Sequence, residues 1–281
     1  MPLFASVRRA LLLSAVLLSA AASTAAADPG PADRTPAAPD PVSRAARAPR
    51  EFVALDDVDP TILRDIRYAG PHNFTGARVP GYDEPLCVLT RPAARALARA
   101  QGALRKRGYS LKVYDCYRPQ RAVDRFVRWA ADPRDTLMRT EFYPNLPKSR
   151  LFADGYLAER SGHSRGSEVD ITLVRLPAVE QAGYRPGQRL TPCTARAGKR
   201  FADNSIDMGT GYDCFDTLSH TLSPAVTGKA RSNRLLLKDA LEREGFRNFR
   251  YEWWHFNFRP EPFERTRFDF PVRRASLRRD G

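Results

Sequence analysis

The sequence predicts an α+β fold, in which a small antiparallel sheet bears a cluster of polar side chains and helices pack on its other face. Three observations predict it. Apolar residues at helical spacing end at a glycine in two places, Leu97, Ala100 and Leu104 before Gly108, and Leu236, Ala240 and Leu241 before Gly245. Residues 168–174 alternate in period two, with Val169, Ile171 and Leu173 on one face and Asp170 and Thr172 on the other. Residues 246–258 are aromatic and β-like.

Taken in order, residues 1–27 read as a secretory signal. Arg8 and Arg9 precede an apolar run over 10–22, and Ala25, Ala26 and Ala27 supply an Ala-x-Ala cleavage site. The run is too short and too rich in small residues for a membrane span. No cysteine follows it directly, which argues against a lipid anchor. Residues 28–50 are mostly Ala, Pro, Asp and Arg without an apolar period, and are expected to be a disordered linker. The fold is expected over 51–272, long enough to bury a sizeable core. Residues 273–281 form a basic tail.

Within the fold, residues 92–107 predict a helix, with Pro92 suited to its first turn and Gly108 to its stop. A strand follows over 110–114, with Leu111 and Val113 on one face. Arg118-Pro119 ends it, and Ala122, Phe126 and Trp129 mark a second helix. Asp115 and Arg118 are thereby delivered to a loop that opens a helix, a position at which a rigid element aims functional groups. Residues 176–230 are rich in Pro, Gly, Thr and Asp and lack a strong period, as in a functional loop or lid. A third helix is expected over 233–244, with Leu236, Ala240 and Leu241 inward.

The formal charge is +14. An export signal argues against a nucleic-acid partner and favours an anionic cell-wall polymer, although an Arg-rich soluble surface produces the same number. All four cysteines lie beyond the signal, so two disulfides are expected in an oxidising compartment. Cys193 and Cys214 flank one loop-like region and are paired on that ground. Cys87 pairs with Cys116 by elimination. No Cys-x-x-Cys is present, which argues against a zinc–thiolate site.

The chemistry concentrates in His163, Asp170, Glu252 and His255. Two imidazoles and one carboxylate can hold a zinc ion and leave a fourth position for water. A free carboxylate three residues before the last donor can move that water's proton. Strict alternation over 246–258 would put Glu252 and His255 on opposite faces, so the strand must bulge or end between them. His72 and His220 lie in polar loops and read as structural or surface residues. On chemistry alone the grouping is either a metal-dependent hydrolytic site or a set of unrelated structural residues.

The motifs in their order are more specific. Tyr68-Ala69, Asn73-Phe74-Thr75-Gly76 and Gly81-Tyr82 come first, then Tyr114-Asp115-Cys116-Tyr117-Arg118-Pro119. Ser161-x-His163-Ser164-Arg165-Gly166-Ser167, Asp170-Ile171-Thr172-Leu173, Asp207-Met208-Gly209 and Glu252-Trp253-Trp254-His255 follow. This series, covering roughly 52–268, resembles the VanX-type D-alanyl-D-alanine dipeptidases, zinc peptidases grouped with D,D-carboxypeptidases and hedgehog-like domains. The resemblance implies one zinc ion held by His163, Asp170 and His255. It implies Glu252 as general base and Arg118 as the group that stabilises the oxyanion. Ser161 and Asp207 would hold the substrate, with Asp207 facing its ammonium group. Glu168 departs from the pattern, since the family usually has a small apolar residue there.

The implied activity is hydrolysis of D-alanyl-D-alanine to two D-alanine. With an export signal, it is expected to serve cell-wall peptide turnover or recycling. Two alternatives stay open: a D,D-carboxypeptidase or other hydrolase of peptidoglycan stem peptides, and a non-catalytic wall-binding module that retains zinc.

Overall fold

A five-stranded sheet organises the computed structural model, which describes residues 41–278. In chain order the elements are β1 (Val42–Ser43), β2 (Phe52–Ala54), α1 (Leu55–Val58), β3 (Leu63–Arg64), β4 (Val88–Thr90), α2 (Arg91–Arg105), β5 (Tyr109–Asp115), α3 (Gln120–Ala131), α4 (Arg139–Phe142), β6 (Glu168–Arg175), α5 (Gly228–Glu242), β7 (Phe246–Asn248), β8 (His255–Phe258) and β9 (Arg267–Phe268). The sheet runs β3-β5-β6-β8-β7. All its pairs are antiparallel except the edge pair β3–β5, which is parallel. The α+β expectation is therefore met, with one parallel edge added.

Period-two alternation sets the register. Leu111 faces Leu173 and Val113 faces Ile171, and all four are fully buried. Helices α2 and α5 pack against each other and lie along β5 and β7. Leu97 and Leu104 of α2 and Leu237 and Leu241 of α5 join those strand residues in one core. Gly108 ends the α2 region at φ +78, where a side chain would strain the backbone.

Two local expectations need correction. The fully buried stripe of α5 is Arg234, Leu237 and Leu241, while Leu236 and Ala240 are half-buried against the same core, so the inward face is wider than read. The cause is Arg234, whose guanidinium donates to the carbonyls of Met208 at 2.6 Å, His220 at 2.7 Å and Leu218 at 2.8 Å. A buried charge needs such partners. Residues 246–258 are likewise not one strand but a hairpin. Phe249 N bonds His255 O at 2.9 Å, and Glu252 N bonds Phe249 O at 3.0 Å, closing the turn between β7 and β8. The first strand thus ends at Asn248, before Glu252, which lies in the connecting turn, and His255 opens the second strand, so period-two alternation does not apply between them.

Both disulfides are present as paired, Cys87–Cys116 and Cys193–Cys214. The long loop after β6 is pinned by buried polar bonds. Lys112 Nζ donates to Asp203 at 2.5 Å and Asn204 at 2.7 Å, and Arg67 donates to the same Asp203 at 2.6 Å.

The ordered chain also extends past both expected boundaries. Val42 and Ser43 pair with Arg267 and Phe268, and Ala48 is buried with its N–H on Ser276 O at 2.9 Å, while residues 44–47 between them are exposed. In the tail, Arg274 pairs with Asp57 at 2.8 Å and Ser276 is buried. The expected signal at 1–27 lies outside the described residues, as do 28–40 and 279–281. Among the described residues no helix is long and apolar enough to cross a membrane.

Candidate metal centre and active site

His163 sits in a 3-10 turn, Gly162–Arg165, directly before β6. Ser161 Oγ accepts the His163 N–H at 3.2 Å and so caps the turn. Gly166 leaves it at φ +83, with the ring of Phe52 so close that a Cβ there would stand 2.1 Å from it. The sheet register then places Asp170 opposite both Asp115 of β5 and His255, the first residue of β8.

Three donor atoms converge. His163 Nε2 is 3.2 Å from His255 Nδ1 and 3.4 Å from Asp170 Oδ1, and His255 Nδ1 is 3.2 Å from the same oxygen. Donors about 2.0 Å from one ion stand about 3.3 Å apart at the tetrahedral angle, so this triangle fits one face of a zinc site. The other His163 nitrogen, Nδ1, lies 2.7 Å from the Cys116 carbonyl oxygen. A carbonyl can only accept, so Nδ1 carries the proton and Nε2 presents its lone pair to the triangle.

Arg118 closes one side. Its Nε and Nη2 each lie 2.9 Å from Asp115 Oδ2, and Nη2 lies 3.5 Å from Asp170 Oδ2. Its guanidinium also lies over the Tyr68 ring at 5.1 Å and the Phe126 ring at 5.4 Å. Tyr212 donates its hydroxyl to Asp170 Oδ2 at 2.9 Å. Burial alone would lift the Asp170 carboxyl, but the adjacent His163 and His255 hold it well below the usual carboxylate range.

Glu252 behaves differently. Its Oε2 is 3.7 Å from His255 Nδ1. Burial pushes its carboxyl up to about 7, aided by the nearby Asp170 and Glu168 charges and opposed by His255 and Arg118. Two carboxyls on one site are thus driven apart, one firmly ionised and one poised to exchange a proton near neutral pH.

His163, Asp170, His255, Arg118 and Glu252 share a cavity of about 250 Å³, which Ser161 also lines. Asp207 does not line it. It accepts from Arg200 Nη2 at 2.6 Å and from Gly209 N at 2.8 Å, and it borders a separate cleft with Tyr114 and Trp253. The carboxyl that does reach the cavity from this stretch is Asp213, which the sequence reading missed. It is buried at φ +53, accepts from the Tyr68 hydroxyl at 2.9 Å, and is pushed well above the usual range by burial and then by Asp170. The only cue was the Asp-Met-Gly motif six residues earlier, whose own carboxylate borders the other cleft. Glu168 lines the cavity too.

The remaining histidines lie elsewhere, as read. His72 is buried with Nε2 2.7 Å from Glu141 and its ring stacked on Tyr184, and His220 packs against Tyr251.

A family model described as D-ala-D-ala dipeptidase matches residues 48–183 and 179–273. The D-alanyl-D-alanine dipeptidase of Enterococcus faecalis is 35% identical over 221 residues, 79% of this chain and 98% of that protein. The enzyme of that name from Streptomyces coelicolor is 36% identical over 222 residues, again 79% of this chain and 98% of its own. That from Escherichia coli is 30% identical over 206 residues, covering 73% and 83%.

Proposed function

The chain belongs to the D-ala-D-ala dipeptidase family of peptidases, and from that premise we propose an exported zinc dipeptidase that cleaves D-alanyl-D-alanine to two D-alanine. The observation that carries the reading is the triangle of His163, Asp170 and His255 donors at 3.2–3.4 Å, with Glu252 and Arg118 on the same cavity. We assign those three as ligands, Glu252 as general base and Arg118 as the stabiliser of the oxyanion. When bound, zinc supplies a Lewis acid that lowers the pKa of water to about 7. Glu252 takes the proton of the attacking water and returns it to the leaving amine, which suits a carboxyl near neutral pKa. Arg118, held in place by Asp115, presents a fixed charge where negative charge develops on the scissile carbonyl.

For the substrate's ammonium we assign Asp213 in place of Asp207, because Asp213 borders the cavity. Ser161 remains as a second substrate contact. A cavity of about 250 Å³ supports a dipeptide over a longer stem, since sites for drug-sized ligands run roughly 300–1,000 Å³. Export and a role in cell-wall peptide turnover rest on the signal-like segment at 1–27, on two disulfides, and on a charge of +14, or +12 without Arg8 and Arg9 of that segment, that suits anionic wall polymers.

The test is D-alanine release from D-alanyl-D-alanine and from a pentapeptide stem by the zinc-loaded protein. Release from the dipeptide alone is expected. Release from the stem alone would make it a carboxypeptidase, and no release from a folded, metal-bound protein would refute the activity.

A further inference from the structure

Glu168 opens β6 and stands in register with Asn257 of β8. Alternation puts its side chain on the face of Asp170, and it is buried, an expensive place for a carboxylate. Burial there requires partners. Arg165 Nη2 donates to its Oε1 at 3.0 Å, and Arg165 is itself held by Glu261 at 2.9 Å. The turn bearing His163 is shaped around the same carboxylate, since a Cβ at Gly162 would stand 1.7 Å from Glu168 Oε1. The other Glu168 oxygen, Oε2, lies 3.4 Å from His255 Nε2, and Asn257 Oδ1 lies 3.4 Å from that nitrogen.

The two nitrogens of His255 therefore have separate surroundings. Nδ1 faces His163 and Asp170, and Nε2 faces two oxygen acceptors. An imidazole that binds a metal through one nitrogen carries its proton on the other, and an acceptor there fixes both the tautomer and the ring plane. We propose that Glu168 is a positioning residue for the metal centre, accepting the Nε2–H of His255 and thereby aiming the Nδ1 lone pair at the ion. The proposal rests on the ligand set given above. A Glu168 oxygen also lies within 4.8 Å of donor atoms of His163 and His255, but in this scheme Glu168 is not a ligand, since Asp170 completes the triangle and Glu168 Oε2 lies beside the other His255 nitrogen.

The experiment uses the full chain as Glu168→Ala, Glu168→Gln, Asn257→Ala and His163→Ala. Zinc dissociation constants come from chelator competition, and the cobalt-substituted forms give visible spectra. Glu168→Ala is expected to weaken zinc binding about 10- to 100-fold and to shift the cobalt bands. Glu168→Gln, the same size with a neutral acceptor, is expected to lose less, and it carries the test if the alanine variant does not fold. Unchanged affinity and spectrum in both Glu168 variants would overturn the proposal, as would a lower melting temperature with unchanged affinity. A loss confined to Asn257→Ala would move the role to Asn257 and overturn it as well. If the unaltered protein binds no stoichiometric zinc, or His163→Ala keeps it, the ligand set fails instead.

Discussion

Replacing Asp213 by Asn tests which carboxyl receives the substrate's ammonium. Asn is nearly the same size, and its carbonyl can still accept the Tyr68 hydroxyl, now 2.9 Å from Asp213 Oδ2. Burial favours the neutral acid in the free protein, and the substrate's ammonium would ionise it on binding, so the change removes that charge and little packing. A hydrogen bond involving a charged group contributes about 1.5–3 kcal/mol. At about 1.4 kcal/mol per tenfold, kcat/KM for D-alanyl-D-alanine should fall about 12- to 140-fold. Most of that should appear in KM, because the ammonium lies away from the bond that breaks. The matched control is Asp207→Asn, which alters a carboxylate bonded to Arg200 in another cleft and should change kcat/KM less than about twofold, as substitutions away from such features usually stay within about 0.5 kcal/mol. The assay is initial rate of D-alanine release against dipeptide concentration, with zinc content measured on the same samples. Full kcat/KM in Asp213→Asn, or a larger loss in Asp207→Asn, would refute the assignment.

Other outcomes follow from the same geometry. Glu252→Gln should lower kcat by about 10²–10⁴ while zinc content by atomic absorption stays stoichiometric, and an unchanged rate would require another base. The base works only when ionised, so kcat/KM should rise with pH. Burial pushes Glu252 up to about 7, and a bound cation acts in the opposite direction, so the acid midpoint should fall below that value and vanish from the Glu252→Gln profile. His163→Ala should lose the metal, with a full complement refuting its place in the triangle. Paired replacement of Cys87 and Cys116 by Ser should cost about 2–5 kcal/mol of stability, read by denaturant titration.

The parts legible in the sequence were those set by local patterning. Helix α2 followed from Pro92, the spacing of Leu97, Ala100 and Leu104, and Gly108. Strand β6 followed from alternation, and with it the face that carries Asp170. The break between Glu252 and His255 was legible as a demand, because period two cannot place both on one face. The hairpin that meets it was not, since its turn depends on bonds such as Trp253 N to Ser219 O, distant in sequence. The face of α5 was read only in part, since Arg234 and Leu237 were left out of it, for a related reason. Arg234 counts as polar in any periodicity, yet carbonyls from the loop over 208–220 draw it inward. Asp213 was hidden by its setting, in an aperiodic loop at positive φ. The pairing of Val42–Ser43 with Arg267–Phe268 joins opposite ends of the domain, and no local signal encodes it.

The donor triangle has a consequence for stability as well as for chemistry. Its two imidazoles are 92 residues apart in the chain, one on a turn before β6 and the other at the start of β8. An ion held between them acts as a removable cross-link over the centre of the sheet. A ligand that binds only the folded chain, at one hundred times its dissociation constant, stabilises it by about 2.7 kcal/mol. With zinc bound as proposed, the melting temperature of this protein should track free zinc, and the supply of metal would set how long the folded chain persists as well as how fast it turns over.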